Sequence, residues 1–472
     1  MSSPSEFDKA KYEALLGQLE ISIVMLSYLR EVSDIFRLDS FFYSKRFISA
    51  ENKISKIRRK PLKDMTTSLK SFGAYSLNNF FDYVPSGIPF IRGVNMKNGL
   101  LDFNDMLYIS EDANRLLWKS EVHKEDILLS MSGTIGDVAI AMPNYHYPMN
   151  SNQDIAKIHL KHEYNPYYVY AFLVSKYGHN YLIREARGSV QQHVFLSQME
   201  NFAIPLFSDD FQSSVERQVK SAHKKLADAK RLYADAERLL LDSLGLLGWE
   251  PKNEAVSIRR FSDFTASGRL DAEYYQPKYD EIEAKINEHA AQMLKTLCFI
   301  NDKNFMPKDE TEYDYIELSD IGTSGEITGC TRSIGRELPT RARRIVHIGD
   351  VILSSIEGSL QSCALITDEY DGALCSNGFY VVKSDKINSE TLLVLMKSAF
   401  MQSMMKKRCR GTILTGFSRS DLDTLPIPKI DTDTQNKVAK KIRASFALRA
   451  ESRALLDEAK RRVEEAIEHG EK

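Results

Sequence analysis

The sequence predicts an α+β protein with two tandem, pseudo-symmetric domains, joined by two long helices that form an antiparallel coiled coil. Three observations predict this fold class. The two halves of the chain repeat each other, in the same order, along nearly their whole length. Each half ends in a stretch of about 35 residues whose small and apolar side chains recur at alternating steps of four and three, as in a coiled-coil seam. Within each half, short β-rich runs are separated by turn residues.

The repeat begins at an uncommon helix opening, which reads RLDSFFYSKRF from Arg37 and RLDAEYYQPKY from Arg269. Three longer stretches match in the same order: 123–141 with 347–366, 151–160 with 376–385, and 187–207 with 410–430. Internal repetition over such a length indicates a duplicated architecture rather than two unrelated domains.

A helix is predicted after each Arg-Leu-Asp, with Asp39 and Asp271 as candidate N-caps. Its inward face is expected to carry matching residues in the two halves: Tyr43, Phe47, Ala50 and Ile54, and Tyr275, Tyr279, Ile282 and Ile286. An alternative is a metal-dependent nuclease site that combines these aspartates with the steps Glu51-Asn52-Lys53 and Glu283-Ala284-Lys285. On a helix, however, Asp39 and Glu51 would lie about 18 Å apart along the axis, too far to share an ion. The helix interpretation is therefore favoured.

The middle of each half predicts short strands. In DILLSMSGTIGDVAIAM, Gly133 and Gly136 bound a turn between two β-rich runs. In the second half Gly358-Ser359-Leu360-Gln361 replaces Gly-Thr-Ile-Gly, so a differently shaped turn is expected. The predicted divisions of the chain are an N-terminal segment at 1–30, a first domain at 31–207, a long helix at 208–246, a second domain at 247–431 and a second long helix at 432–472.

The coiled-coil seam has the same register in both halves. In the first helix it comprises Val215, Val219, Ala222, Leu226, Ala229, Tyr233, Ala236 and Leu240, and in the second Val438, Ile442, Ser445, Arg449, Ser452, Leu456, Ala459 and Val463. Small residues let two helices approach closely, whereas the inward Arg449 has to find a carboxylate or reach solvent. Ser208-Asp209 and Thr432-Asp433 are the expected N-caps. Because ALLGQLE at 14–20 resembles GLLGWEP at 245–251, we expect the first 17 or so residues to lie near the end of the second long helix.

Composition excludes several classes of protein. With 43% hydrophobic and 27% charged residues, the chain is typical of globular proteins. The start lacks the pattern of a secretory signal, and ISIVML at 21–26 is too short to cross a bilayer, so no membrane association is expected. Five cysteines without a CxxC pair favour a reducing, cytoplasmic location. The net charge of −2 gives no global attraction to nucleic acid, although Lys and Arg cluster at 53–63, 341–344 and 406–410.

Common catalytic motifs are missing from the sequence. We find no phosphate-binding lysine loop, no GxSxG, no HExxH, no EF-hand loop and no Asn/Asp-Pro-Pro-aromatic step of amino-methyltransferases. The ten histidines show no paired spacing that would predict a metal site. A chain that binds or positions something is therefore favoured over an enzyme.

The repeated segments resemble the specificity subunit of Type I restriction-modification systems. The resemblance rests on DILLSMSGTIGDVA at 126–139, IPKIDTDTQNKVAKKI at 427–442, and a glutamine near the start of each long helix, Gln212 and Gln435. It covers nearly the whole chain, and the order and duplication of the motifs are more specific than any single motif.

The resemblance implies a non-catalytic reader of double-stranded DNA. Two target-recognition domains would each read one half of a bipartite site, and the two helices would set the spacing between the halves. Two modification (methyltransferase) subunits would dock on this framework, and restriction (motor-nuclease) subunits would complete the complex. No cofactor is implied in this chain, because S-adenosylmethionine, ATP and Mg²⁺ would be bound by the partner subunits.

Candidate DNA contacts are polar residues in the variable segments, since amides suit adenine edges and arginine suits guanine or phosphate. They are Arg92, Asn95, Lys97, Asn152, Gln153, Ser189, Gln191 and Gln192 in the first domain, and Arg332, Arg343, Asn377, Lys407, Arg410 and Thr412 in the second. A strand-edge or turn hydrogen bond is the alternative role for each of them. Gly188 and Gly411 are expected to serve a tight loop.

Two other functions remain open from the sequence. One is the recognition subunit of a Type IIB-like methyltransferase-nuclease system. The other is a coiled-coil adaptor that joins proteins without reading DNA.

Overall fold

The computed structural model describes residues 17, 20, 22–32, 37–71, 81–188, 192–252, 254, 256–411 and 415–471. The chain forms two compact units, of which the first comprises residues 1–223 and 453–472 and the second residues 224–452. Each unit thus includes one part of both long helices, whereas the sequence predicts the helices as segments separate from the two domains. The predicted packing of the first 17 or so residues falls almost entirely outside the described residues.

The first unit has seven helices before the long ones among the described residues. They are α1 (Leu26–Val32), α2 (Lys45–Ile54), α3 (Leu62–Met65), α4 (Glu111–Leu116), α5 (Pro166–Val174), α6 (Lys176–Glu185) and α7 (Leu196–Met199). The strands are β1 (Arg59–Pro61), β2 (Thr66–Lys70), β3 (Tyr83–Val84), β4 (Ile88–Ile91), β5 (Met96–Lys97), β6 (Leu100–Leu101), β7 (Leu107–Ile109), β8 (Glu121–Val122), β9 (Ile127–Ser130), β10 (Val138–Ile140), β11 (Met149–Ser151), β12 (Ile155–Leu160) and β13 (Ala203–Pro205).

Two main sheets build the first unit. One has the order β10-β9-β12-β2 and is antiparallel throughout, while the other has the order β3-β7-β4-β11-β8. In the second sheet β4 and β11 are parallel, so their carboxyl ends lie side by side. The largest core cluster joins the first sheet to helices α5 and α6 and to the long helices.

The second unit contains the corresponding elements. Its shorter helices are α9 (Phe261–Ser267), α10 (Pro277–Asn287), α11 (Leu294–Leu297), α12 (Ser389–Lys397), α13 (Ala399–Arg408) and α14 (Arg419–Asp423). Its strands are β14 (Gln292–Met293), β15 (Cys298–Asn301), β16 (Glu312–Ile316), β17 (Thr331–Ile334), β18 (Ala342–Ile345), β19 (Val351–Ser354), β20 (Cys363–Leu365), β21 (Leu374–Ser376), β22 (Phe379–Ser384) and β23 (Pro426–Ile427).

Sheet topology repeats along with the sequence. In the second unit the orders are β20-β19-β22-β15 and β17-β16-β21-β18, and β16 and β21 are the parallel pair. When corresponding strands are compared, these orders are the same as those of the first unit, except that the first unit has the additional strand β3. The predicted α+β class with two tandem related domains is confirmed.

The two long helices are α8 (Asp209–Ser243) and α15 (Thr432–His469), of 35 and 38 residues. They run antiparallel in both units. In the first unit Arg462 donates to Ser214 Oγ, and the Ser208 N–H donates to Glu471. In the second unit Ser445 Oγ donates to the carbonyl of Ala229 at 2.7 Å. The predicted antiparallel coiled coil is confirmed.

Burial along the seam has the same pattern on both helices. Buried positions are Val215, Val219, Ala222, Ala229, Ala236, Leu240, Val438, Ile442, Ser445, Ser452, Ala459 and Val463, and half-buried positions are Leu226, Tyr233, Arg449 and Leu456. Arg449 finds a carboxylate in its own unit, because its Nη1 lies 2.6 Å from Glu326 Oε1.

The start of each long helix is held by the same contacts in both units. Gln212 Nε2 donates to the Phe207 carbonyl at 2.9 Å, and Gln435 Nε2 donates to the Ile430 carbonyl at 3.0 Å. Ser208 caps α8 as expected, since its Oγ accepts from the Phe211 N–H. The expected cap at Thr432 is wrong by one residue. Asp431 accepts from the Thr434 N–H at 2.9 Å, because its carboxylate reaches the exposed amides of the first turn.

The Arg-Leu-Asp opening has a different role from the one predicted. Helices α2 and α10 begin later, after Ser44 and Gln276, so the N-cap assignments of Asp39 and Asp271 are wrong. Both aspartates instead accept a backbone N–H within the turn that precedes the helix, and each pairs with its arginine. The residues predicted to face inward are all buried as expected, although Tyr43 and Tyr275 lie before the first residues of the two helices.

The arginines of this motif close the ends of other helices. Arg37 Nη1 donates to the carbonyl of Arg184 at the end of α6, at 3.0 Å. Arg269 donates to the last carbonyls of α13, including that of Cys409 at 2.7 Å. A guanidinium at a helix carboxyl terminus satisfies carbonyls that have no partner within the helix. The duplicated motif therefore ties the start of each repeat to its own later helix.

The Glu-x-Lys steps also belong to the structural frame. Glu51 pairs with Arg184 at 2.9 Å in the first unit, and Glu283 pairs with Lys407 at 3.0 Å in the second. Each carboxylate neutralises a basic residue that its own core has buried.

All five cysteines are free, and Cys363, Cys375 and Cys409 are buried. Among the described residues, no helix is long and apolar enough to cross a membrane.

Candidate nucleic-acid interface

One edge of the first unit gathers polar side chains from three separate segments. We define the first polar edge as Arg92, Asn152, the turn 131–137 and the residues 187–188 and 192–193. Because β4 and β11 are parallel, Arg92 and Asn152 follow neighbouring strand ends, and the Asn152 N–H donates to the Ile91 carbonyl at 2.9 Å. These two strand ends form the centre of the edge.

The other two segments of the first polar edge are bound to this centre. The Met131 N–H donates to the Asp154 carbonyl at 2.7 Å, which brings the turn beside Asn152. His193 forms β-bridges to both Ser132 and Arg187, which joins both described ends of this segment to the turn. Gly133 and Gly136 have φ angles of 71° and 98°, which explains the two glycines that bound the turn.

The second unit builds a related edge at the end of β21, where Arg341 lies before β18 and is not the repeat counterpart of Arg92. We define the second polar edge as Arg341, Asn377, the turn 355–362 and the residues 410–411 and 415–416. The Asn377 N–H donates to the Arg341 carbonyl at 2.8 Å, and Ser355 donates from its N–H and its Oγ to the Gly378 carbonyl. Gly416 forms β-bridges to Ile356 and Arg410, as His193 does in the first unit.

The turns of the two edges differ in shape, as the sequence predicts. In the second unit a short 3₁₀ turn at Glu357–Ser359 replaces the turn with two left-handed glycines. The two edges therefore share a frame but present different surfaces.

Some predicted contact residues lie on these edges. They are Arg92, Asn152, Gln192, Asn377 and Arg410, and Gln153 lies beside them between Asn152 and Asp154. Two of them keep a polar atom without a partner in the structure, namely Arg92 Nε and Asn152 Oδ1. Arg92 Nη2 is engaged with the Asp105 carbonyl at 2.7 Å, and Arg410 pairs with Asp421. The edges thus combine anchored side chains with two polar atoms, Arg92 Nε and Asn152 Oδ1, that are buried and unpaired.

Other predicted contacts have structural partners away from the edges. Asn95 is buried and holds its loop through the carbonyls of Asp102 and Asn104, each at 3.2 Å. Lys407 is buried against Glu283 and Asp280, so its ammonium belongs to the core. Sequence composition placed it in a basic cluster, but helix α13 turns it inward.

The remaining described candidates lie on strands, Lys97 in the two-stranded sheet β5-β6 of the first unit, and Arg332 and Arg343 in the second sheet of the second unit. Lys97 is exposed on β5, 3.8 Å from Asp102. Arg332 on β17 holds Asp314 of β16 with two hydrogen bonds of 2.8 Å, and its guanidinium lowers the pKa of the Asp314 carboxyl. Arg343 on β18 donates to the Thr340 carbonyl. Ser189, Gln191 and Thr412 lie outside the described residues.

Several residues of the edges were not singled out from the sequence. Arg341, which donates to Glu317 at 3.2 Å, belongs to a basic cluster that was noted, but not to the candidate contacts. Arg187 and His193 flank the candidate glutamines of the loop. Arg187 is the repeat counterpart of the candidate Arg410, and this correspondence is the sequence signal that would have found it.

The described residues contain no group of three or more His, Cys, Asp or Glu side chains placed to hold a metal ion. The carboxylates of the nuclease alternative are engaged elsewhere, since Asp39 pairs with Arg37 and Glu51 with Arg184.

Comparison with known proteins supports the resemblance. A family model described as "Type I restriction modification DNA specificity domain" matches residues 50–212. Residues 50–212 are similar to a Type I restriction-modification specificity domain. This match spans both main sheets, the first polar edge and the start of α8, so the resemblance drawn from the repeated motifs is confirmed.

A curated relative and two solved structures match as well. The Type I restriction enzyme EcoBI specificity subunit of Escherichia coli is 26% identical over 142 residues, which are 29% of this chain and 29% of that protein. A Type I restriction-modification S subunit from M. genitalium matches with a TM-score of 0.41 and 13% identity, covering 87% of this chain and 94% of that one. The HsdS subunit from Thermoanaerobacter tengcongensis matches with a TM-score of 0.29 and 13% identity, covering 88% and 97%. The family description thus applies to the matched residues 50–212.

Proposed function

We propose that this chain is the non-catalytic DNA-reading subunit of a Type I restriction-modification complex. Each unit reads one half of a bipartite site in double-stranded DNA through its polar edge. The paired helices α8 and α15 set the unspecified spacer between the two half-sites. The observation that carries the proposal is the duplicated edge, because two polar edges at equivalent places of a repeated frame suit two half-sites on a duplex.

The different side chains of the edges support two different half-sites. Arg92 in the first unit corresponds to Glu317 in the second. Each precedes a short 3₁₀ turn, and the side chain of the third residue of that turn accepts a hydrogen bond from the backbone N–H of Arg92 or Glu317. An arginine suits guanine or phosphate, whereas a glutamate accepts from cytosine. An asymmetric target follows from this difference.

Partner subunits supply the chemistry in this proposal. Two modification subunits dock on the framework and bind S-adenosylmethionine, and restriction subunits use ATP and Mg²⁺. The net charge of −2 fits a reader whose partners provide much of the attraction to phosphate.

Methylome sequencing tests the proposal. Cells that express the partner subunits are sequenced with the gene intact, with the gene deleted, and with an Asn152→Ala, Asn377→Ala double variant. We expect a split methylation motif that disappears on deletion and is lost or relaxed in the variant. A methylome that is the same in all three strains contradicts DNA reading and favours the adaptor function.

The size of the co-purifying partners separates the Type I assembly from a Type IIB-like one. Separate modification and motor-nuclease chains support the Type I assembly. A single fused methyltransferase-nuclease chain supports the Type IIB-like alternative.

A further inference from the structure

Two aromatic rings stand at the carboxyl side of the loop in the first polar edge. The ring centroids of His193 and Phe195 are 4.7 Å apart, with an interplanar angle of 56°. Val194 between them is fully buried, and its N–H donates to the Met131 carbonyl at 2.9 Å. Because side chains alternate along an extended segment, His193 and Phe195 both face outward.

The backbone that carries these rings is fixed at both ends. Arg187 and His193 exchange two backbone hydrogen bonds, of 2.9 and 2.7 Å. The Phe195 N–H donates to Gln198 Oε1 at 2.8 Å, and Gln198 Nε2 donates to the Glu185 carbonyl at 2.6 Å. Yet 49% of the Phe195 surface stays exposed. A large apolar ring held rigidly in solvent is suited to binding, since little conformational entropy is lost when it is covered.

The second unit has no aromatic pair at the two described positions that correspond to His193 and Phe195. Gly416 and Ser418 occupy the corresponding places in the repeat, and a Cβ at Gly416 would lie 2.5 Å from the Ser355 carbonyl oxygen. No side chain fits there without a backbone shift. The aromatic pair is therefore a property of the first unit and not of the shared frame.

We propose that His193 and Phe195 form a stacking platform for a nucleobase in the half-site that the first unit reads. This inference rests on the proposed function. Enzymes that modify a base must take it out of the helical stack, which leaves its neighbour without a stacking partner. Phe195 replaces that partner, and His193 supports the ring from behind.

The surroundings of the rings favour DNA over a protein as the occupant. Arg187, a third exposed, lies across the β-bridge from His193, 3.9 Å from Glu185. Its Nε is buried and has no hydrogen-bond partner in the structure, whereas the rest of the guanidinium side chain is partly exposed. Gln192 is exposed next to His193. An aromatic face flanked by a guanidinium and an amide matches a base with its adjoining phosphate.

Substitutions at Phe195 test the platform in the full chain, assembled with its modification subunits. Duplexes carry the methylation motif of the wild-type strain, with 2-aminopurine placed in turn at the positions of each half-site. We expect Phe195→Leu to weaken specific binding about tenfold or more and to change 2-aminopurine emission only in the half-site of the first unit. Phe195→Trp keeps both properties, because the requirement is an aromatic face.

Phe299→Leu is the matched control, since that phenylalanine is 70% exposed on β15 of the second unit. It is expected to bind like the wild type. The platform is overturned if Phe195→Leu binds specific duplex as the wild type does, or if it loses the modification subunits while binding DNA normally. A wild-type complex that selects no split site removes the proposed function and this inference with it. If the wild-type complex selects a split site and Phe195→Leu binds that site equally well, the inference is wrong but the proposed function stands.

Discussion

Arg449 and Glu326 form an ion pair of 2.6 Å that joins helix α15 to the 320–328 segment of the second unit. Arg449 occupies an inward seam position, yet its guanidinium passes into its own unit and also donates to Ser324 Oγ. Both side chains are nearly buried, at 10% and 14% exposure. The pair therefore anchors this segment of the second unit to the helix.

Removing one partner of this pair should destabilise the second unit. Arg449→Met leaves the Glu326 carboxylate buried without its cation, and we expect a loss of about 3 kcal/mol in the free energy of unfolding. The double variant Arg449→Met, Glu326→Gln should recover most of that loss, because no unpaired charge remains. Urea denaturation of the single and double variants measures the coupling. Additive losses would show that the two residues act independently.

Arg269 should contribute to the stability of the second unit, whereas its neighbour Leu270 should contribute little. It holds carbonyls at the end of α13 and pairs with Asp271, and hydrogen bonds from a charged group contribute about 1.5–3 kcal/mol. We expect Arg269→Met to cost about 2–3 kcal/mol, and Arg269→Lys to restore little of it, because a lysine lacks the fork geometry. Leu270→Ala is the control, since Leu270 is 84% exposed. Thermal or urea unfolding measures the loss of stability in each variant. Equal losses at Arg269 and Leu270 would contradict this role.

The stability of the first unit should depend on pH through Glu468. Hydrogen bonds from Lys176, Tyr177 and Lys53 lower the pKa of its carboxyl from the usual 4.5 to about 2. A lowered pKa in the folded state stabilises the fold above the unfolded pKa, and this stabilisation is lost as the pH falls from about 4.5 toward 2.

Glu468→Gln should therefore reduce the free energy of unfolding by about 1 kcal/mol at pH 7, as expected for a small network of partly exposed ion pairs. The difference from the wild type should shrink progressively below pH 4.5. Glu465→Gln, on the same helix and half exposed beside Arg461, serves as the control and should change stability little. A difference that stays constant down to pH 3 would rule out the carboxylate as its source.

Helix length should set the spacer. One heptad inserted in the middle of both α8 and α15 preserves the seam and lengthens the pair by about 10 Å, which is about three base pairs. We expect a methylation motif with the same half-sites and a spacer longer by about that amount. A heptad inserted in α8 alone makes the two helices unequal in length and should abolish site-specific methylation. An unchanged spacer in the chain with both helices lengthened would show that the helices do not set the spacing between the half-sites.

The sequence predicts the repeat, the seam and the helix lengths because each depends on local periodicity. Val215 and Val438, for example, fall in the same register of two long helices, and both are buried. Side-chain direction outside a periodic element is harder to predict. Lys407 belongs to a basic cluster, but the fold turns it toward Glu283, whereas Arg341 of another cluster reaches the second polar edge.

The duplicated Arg-Leu-Asp shows the same limit. Its repetition correctly marks the start of each repeat, but the partners of its arginines lie far along the chain, at Arg184 and Cys409. A sequence pattern does not show which helix terminus an arginine will meet in the folded chain. The N-cap role assigned to Asp39 failed because the aspartate caps a separate turn, through the Phe42 N–H, and the helix begins only after Ser44.

The most direct test of the two-reader account is an exchange of residues 37–207 for the equivalent domain of another specificity subunit with a known, different target. Methylome sequencing of cells that express the hybrid chain with its partner subunits gives the new motif. The account predicts that one half-site changes to that of the donor while the other half-site and the spacer stay the same. A motif in which both halves change together, or in which neither changes, would contradict it.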